Sequence, residues 1–170
     1  MNLSWIWSTV LALRRLKSKF MQLVKDKEII NDTWRYVAEE SELGEGDITV
    51  SLARWKGDRQ DLFSHKGKVG LRLIPSDGVD GIVDDLEHIQ LVELDFTDFA
   101  DGRLFSHAWL LRSRYGYLNE IRAIGHYIPD QVFYLSRVGV NAFLPAKSSD
   151  LPFVLANLND FTVKYQNSVN

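Results

Sequence analysis

The chain has no cysteine among its 170 residues. That excludes a disulfide framework, thiolate-held iron–sulfur clusters, cysteine-type zinc sites and thiol redox chemistry carried by this chain. It fits a reducing compartment, and a cytoplasmic location is expected. Apolar runs of spanning length are also lacking. The N-terminal run, Leu3 to Leu13, is shorter than the about 20 apolar residues that cross a bilayer. Its cations, Arg14, Arg15, Lys17 and Lys19, follow it, which reverses the order of a secretory signal. There is no excess of positive charge: the net charge is −3, and no stretch interleaves aromatics with a dense basic patch. Neither nucleic acid nor a membrane is expected as a partner. A GxGxxG after a strand and a GxxxxGK[ST] are both missing, and the four histidines (His65, His88, His107, His126) show no metal-ligand spacing. No metal site is expected, and no cofactor can be named.

What is present reads as one globular domain. The length suits a single domain, and hydrophobic and charged fractions of 45% and 25% are ordinary for one. Residues 1–20 are set apart as an extension. They read as a surface helix for a membrane or partner, a packed N-terminal helix, or a translated upstream stretch with the native start at Met21, and the last is preferred. Residues 21–166 are expected to form the domain.

From Met21 the pattern is strand-like. MQLVKD, KEIIND and TWRYVAEE are short, rich in Val, Ile, Trp and Tyr, and separated by turn residues. DITVSLARW alternates apolar and polar residues as a half-buried strand does, and KGDRQDLFSHKG is a polar connection with one helical turn. After Gly67, strands over 69–75, 89–96, 120–126 and 140–145 alternate with helices in GIVDDLEH, GRLFSHAWLLRSRY, PDQVFYLSRV and DLPFVLANLNDF. Alternation of this kind predicts βα units and a mostly parallel sheet, either open or closed into a partial barrel. Asp101 is a natural N-cap and Gly116 a C′ residue. Pro129 opens the next helix and Gly139 ends it.

Buried parallel strands usually read as continuous apolar runs. The three central ones do not. Aligned as GLRLIP, LVELDF and EIRAIG, they carry Arg72, Glu93 and Arg122 at the third position. Because side chains alternate, one face carries Leu71/Leu73, Val92/Leu94 and Ile121/Ala123, while the other carries the charges. Neighbouring strands in this register would place Arg–Glu–Arg in a row, and such groups must be paired or wet. A cleft lining and a structural ion-pair network both satisfy that demand.

Ligands bind at the C-terminal ends of parallel strands. Asp77, Asp95, His126 and Lys147 lie at or just past those ends, as do the helix starts at Gly102 and Pro129. His126 is the acid/base candidate by position, set against a structural histidine, and Asp95 joins it as a catalytic candidate. Asp95, Asp98 and Asp101 could bind Mg²⁺, but a strand end, a turn and an N-cap account for them more simply. Arg103 could hold an anion or extend to solvent. Asp130 and Gln131 open the next helix; capping suffices for Asp130, whereas Gln131 is not needed for it. Tyr134 and Arg137 fall one turn apart and could pair with the preceding loop. Ser106 and His107 are adjacent in a helix and diverge, so they make a poor dyad.

The segment DGRLFSHAWLLRSRYGYLNEIRAIGHYIPDQVFYLSRVGVNAF resembles the core of a bacterial family, domain of unknown function 934. Its members carry DGR-x-x-S-x-A-x-x-LR-x-R-x-GY-x-GE-x-RA-x-G, then DQ-x-x-Y-x-x-R-x-G-x-x-AF, then DF-x-x-x-YQ, which appears here as DFTVKYQ. The resemblance covers roughly Met21 to Gln166. Two positions depart from it. Val138 stands where many members have cysteine, which weakens thiol redox, and Asn119 replaces the glycine of GE. Members are labelled as oxidoreductases involved in sulfite reduction. The resemblance thus implies an oxidoreductase or accessory protein of assimilatory sulfite or sulfate reduction. Its anion site would lie at the strand C-terminal ends, around Arg103, Arg122, His126, Asp130 and Gln131, and a sulfite-sized oxyanion would suit it. The alternative is a non-catalytic module that docks on sulfite reductase or its electron donor.

Overall fold

The computed structural model describes residues 21–160. Two of the expectations, the extension over residues 1–20 and most of DFTVKYQ, lie outside them. Strands β1 (Gln22–Lys25) and β2 (Glu28–Asn31) form an antiparallel hairpin. Asp26 and Lys27 between them sit at φ 50° and 64°, the two-residue turn whose twist matches that of paired strands. Six further strands run parallel to one another: β3 (Arg35–Tyr36), β4 (Ile48–Ser51), β5 (Val69–Leu73), β6 (Leu91–Phe96), β7 (Glu120–Gly125) and β8 (Ala142–Pro145). β1 adds antiparallel to β8, giving the sheet order β2-β1-β8-β7-β6-β5-β4-β3.

This order forces curvature. β2 and β3 occupy opposite edges of an eight-stranded sheet, yet only Asp32, Thr33 and Trp34 separate them in sequence. In a flat sheet, seven spacings of about 4.8 Å would hold the edges roughly 34 Å apart. The chain from Asn31 to Arg35 reaches no more than about 14 Å. The sheet is therefore curled into an open half-barrel, which settles the choice between an open sheet and a partial barrel.

The helices lie on one face. α1 (Leu52–Gly57) and α2 (Arg59–Phe63) follow β4, and a 3-10 helix, Asp80–Asp85, follows β5. α3 (Arg103–Trp109) runs on into a wider π-type turn, Leu110–Arg114. α4 (Val132–Arg137) and α5 (Leu151–Asp160) complete the layer. Their apolar stripes meet Val50, Leu71, Leu73, Val92, Leu94, Ile121, Ala123 and Phe143 from the sheet in one core. Gly116 and Gly139 end their helices at φ +64° and +107°, as read from the sequence. Among the described residues no helix is long and apolar enough to cross a membrane.

One expectation is corrected. The alternation in DITVSLARW does not continue as a strand past Ser51. The Ser51 hydroxyl accepts a hydrogen bond from the Arg54 amide at 3.1 Å and caps α1. From there Leu52 and Trp55, three apart, face the core as helix residues.

Candidate functional site

The face away from the helices carries the charges, in the expected register. Arg72 pairs with Glu93 across β5 and β6, and Glu93 with Arg122 across β6 and β7. Lys25, in β1, sits opposite Ala142, itself the cross-strand neighbour of Arg122. Arg122 and Glu93 are almost wholly buried, at 2% exposure each. Burial on this scale demands partners, and they are present. Arg122 meets Asp32 at 3.0 Å, Glu120 at 2.7 Å and Glu93 at 3.5 Å. Glu93 also accepts from Arg72 at 2.9 Å, and Glu120 from Lys25 at 2.7 Å. Lys25, Arg72 and Arg122 thus balance Asp32, Glu93 and Glu120. The network ties the hairpin and the β2–β3 link to the centre of the sheet.

The two ends of the row differ. At the N-terminal ends of the strands, a cavity of about 380 Å³ is lined by Asp32, Trp34, Glu120 and Arg122, and its buried arginine is held by three carboxylates. A second cavity of about 380 Å³ opens at the C-terminal ends, lined by Tyr36, Glu39, Ser51, Arg72, Ile74, Asp77 and Asp95 among others. There the Arg72 guanidinium lies over the Tyr36 ring, 4.0 Å from its centroid. Glu39 accepts from the Ser51 hydroxyl, and Asp77 from the Ile74 amide at 2.9 Å.

The residues singled out from sequence do not come together in one place. Asp95 is half-buried in the C-terminal cavity. Its carboxylate rests against Gly125, where an added Cβ would stand 3.0 Å from Oδ1 and 2.7 Å from the Phe96 carbonyl. Gly125 also holds φ +89°, so both space and backbone require glycine there. Arg122 lines the other cavity. His126 is exposed, and its amide donates to the Phe96 carbonyl at 2.7 Å. Arg103 folds back on Asp101, with contacts of 2.6–3.1 Å, while Asp101 also accepts from the Arg103 amide. That arginine holds the Asp101 carboxyl down at about 2. The expected cap is corrected by one position: Gly102 is the N-cap of α3, without a side-chain bond, and Asp101, the residue before it, accepts from the first helical amide. Asp130 is exposed on the 3-10 turn Pro129–Gln131.

Gln131 is corrected: it is a cap after all. Its Oε1 accepts from the Ile128 amide at 3.1 Å and its Nε2 donates to the Phe99 carbonyl at 2.9 Å, so both amide ends staple the loop after β6 to the loop after β7. Tyr134 is 61% exposed, and Arg137 stands 5.8 Å from the centroid of the Phe133 ring. His107 is half-buried on α3, and its Nδ1 has no hydrogen-bond partner among the described residues. Burial pushes this imidazole below its ordinary value, against the pull of Asp77. Among the described residues no group of three His, Asp or Glu could hold a metal ion.

The model of a family described as bacterial protein of unknown function, DUF934, matches residues 70–170. The chain belongs to this family. No curated protein matches the chain significantly. The DUF934 match takes in β5 to β8, and with them Arg72, Glu93, Asp95 and Arg122. Asp32, which holds Arg122, and Tyr36, which carries Arg72, lie before it. Sequence reading placed Arg72 in the charged row but missed it as the arginine of the C-terminal mouth. Locally the two arginines differ in one partner: Glu120, two residues before Arg122, binds it, whereas Gly70 stands two residues before Arg72. The rest of the difference is long-range: Asp32 reaches Arg122, and the ring stacked on Arg72, Tyr36, comes from the far edge strand.

Proposed function

We propose that this protein is a non-catalytic binding module that works in the cytoplasm, docking on sulfite reductase or its electron donor in assimilatory sulfite reduction. The metabolic setting rests on the resemblance of its motifs to proteins labelled for sulfite reduction. The mode of action rests on one feature at the C-terminal ends of the strands. Phe99, Ile128 and Tyr134 stand 56%, 42% and 61% exposed around Gln131. That residue is bonded to the backbone of the first two and lies one turn before the third. Large apolar side chains displayed together on a braced support are a mark of interaction sites, and aromatic residues carry much of the binding energy in such sites. Asp98 and Asp130 beside them are exposed, so the complementary partner surface is apolar at its centre and basic at its edge.

An oxidoreductase with an oxyanion site, the other expectation, has less behind it. Arg103 and Arg122 are bound by carboxylates of their own chain, and Gln131 by backbone. The test passes the purified protein over immobilised sulfite reductase and, separately, its electron donor. Saturable binding to one is expected. Phe99→Ser combined with Tyr134→Ser should weaken it by about tenfold or more without changing the melting temperature. Binding to neither, with a rise in melting temperature on adding sulfite, sulfate or adenosine phosphosulfate, would favour the oxyanion site. A deletion strain that grows on sulfate as the wild type does would remove the sulfur assignment altogether.

A further inference from the structure

We infer that the C-terminal mouth of the half-barrel is a binding site for a small zwitterion of the α-amino acid type, with the ligand carboxylate on Arg72 and its ammonium on Asp95. This site does not depend on the docking surface above. Its first element is the arginine. Arg72 is fixed on one edge by the Nε bond to Glu93 and on one face by the Tyr36 ring, and its side chain is 24% exposed. Among the described residues, neither Nη nitrogen has a hydrogen-bond partner. A guanidinium held in plane with its outer donors open is the form that takes a carboxylate by two parallel bonds.

The second element is a carboxylate of matching placement. Asp95 has no side-chain partner among the described residues, and it lies on the same face, two residues beyond Glu93, the cross-strand neighbour of Arg72. The two form no ion pair: Arg72 pairs with Glu93 instead. Both line the same cavity, so a small molecule lying in it can meet each of them. The other acids of the mouth are engaged: Glu39 by the Ser51 hydroxyl and Asp77 by the Ile74 amide. Asp95 is therefore the free negative pole.

The third element is selectivity. A bare oxyanion placed on Arg72 would face Asp95, Asp77 and Glu39 across the same cavity, and a bare amine on Asp95 would face Arg72. A ligand carrying both charges satisfies both poles. The cavity, about 380 Å³, has room for it, and Gly125, lacking a side chain, leaves the Asp95 carboxylate its place.

Isothermal calorimetry on the full chain with each of the twenty standard amino acids, with propionate and ethylamine as single-charge probes, tests this. At least one amino acid should bind, with both single-charge probes about tenfold weaker or worse. Asp95→Asn touches no ion pair and should weaken amino acid binding by a similar factor at an unchanged melting temperature. Arg72→Lys should lose the carboxylate while still facing Glu93. If it fails to fold, Asp95→Asn decides alone. No binding by any amino acid at millimolar concentration, equal binding of propionate or ethylamine, or an Asp95→Asn protein that binds as the wild type does, overturns the site.

Discussion

Replacing Arg122 with methionine tests whether the buried charges hold the half-barrel together. The network in the wild type is neutral. Without Arg122 it keeps Lys25 and Arg72 against Asp32, Glu93 and Glu120, one negative charge in excess, with Glu93 at 2% exposure. Methionine fills much of the same volume, so the cavity contribution is small and the electrostatic one dominates. Removing one member of a buried ion pair costs about 3–5 kcal/mol, a large part of the roughly 5–15 kcal/mol that holds a domain folded. At about 2–4 °C per kcal/mol for a chain of this size, the melting temperature should fall by roughly 6–20 °C. Urea and thermal unfolding measure it. Adding Glu93→Gln should recover part of the loss, because it removes the excess charge, and the double-mutant cycle reads that coupling. Lys25→Met, at a side chain one-third exposed, should cost no more than about 1 kcal/mol. An Arg122→Met protein within about 1 kcal/mol of wild type, or strict additivity with Glu93→Gln, would refute the argument.

Gly125→Ala should cost about 2–3 kcal/mol in urea unfolding, since it adds a Cβ against the Phe96 carbonyl at a left-handed φ. Gln131→Ala removes two hydrogen bonds and should cost about 1–3 kcal/mol, with amide exchange rising in the loop after β6 and in Ile128 while overall helix content holds. Asp101 is held at about 2 against an ordinary 3.8. Its ionised form therefore adds stability that is complete above pH 3.8 and lost as pH falls through 2, so Asp101→Asn should match the wild type only in strong acid. His107 lies below its ordinary 6.5 through burial. The unfolded chain takes up that proton first, so stability falls as pH drops below 6.5, and His107→Gln should flatten that part of the profile.

The parallel strands were legible because each alternates, and alternation with charges on one side fixes both a face and a register. Arg72, Glu93 and Arg122 could be aligned on paper because each sits third in its run. The end of β4 was not legible: Ser51 continues the alternation in sequence while its hydroxyl caps a helix. Nor was the curl. It follows from the pairing of Val24 with Phe143, a contact between positions 119 residues apart that no local pattern encodes. That pairing puts β2 and β3 on opposite edges and leaves Asp32 to Trp34 to span them.

The same geometry explains why the candidate site was only half legible. Arg72 and Arg122 occupy equivalent positions, each next to Glu93, and each points to the concave side. Closure of the curl delivers a carboxylate, Asp32, to one and an aromatic ring, Tyr36, to the other. The first arrangement saturates its arginine and turns it into a brace. The second orients its arginine and leaves the outer donors open. Beside Glu120, the carboxylate two residues before Arg122, it is a short stretch of chain, residues 32–36, crossing from one edge of the sheet to the other, that separates the fates of these two residues. Asp95 falls on the open side of that division. His126, Arg103, Asp130 and Gln131 belong to the loops outside it, where their bonds serve caps and staples.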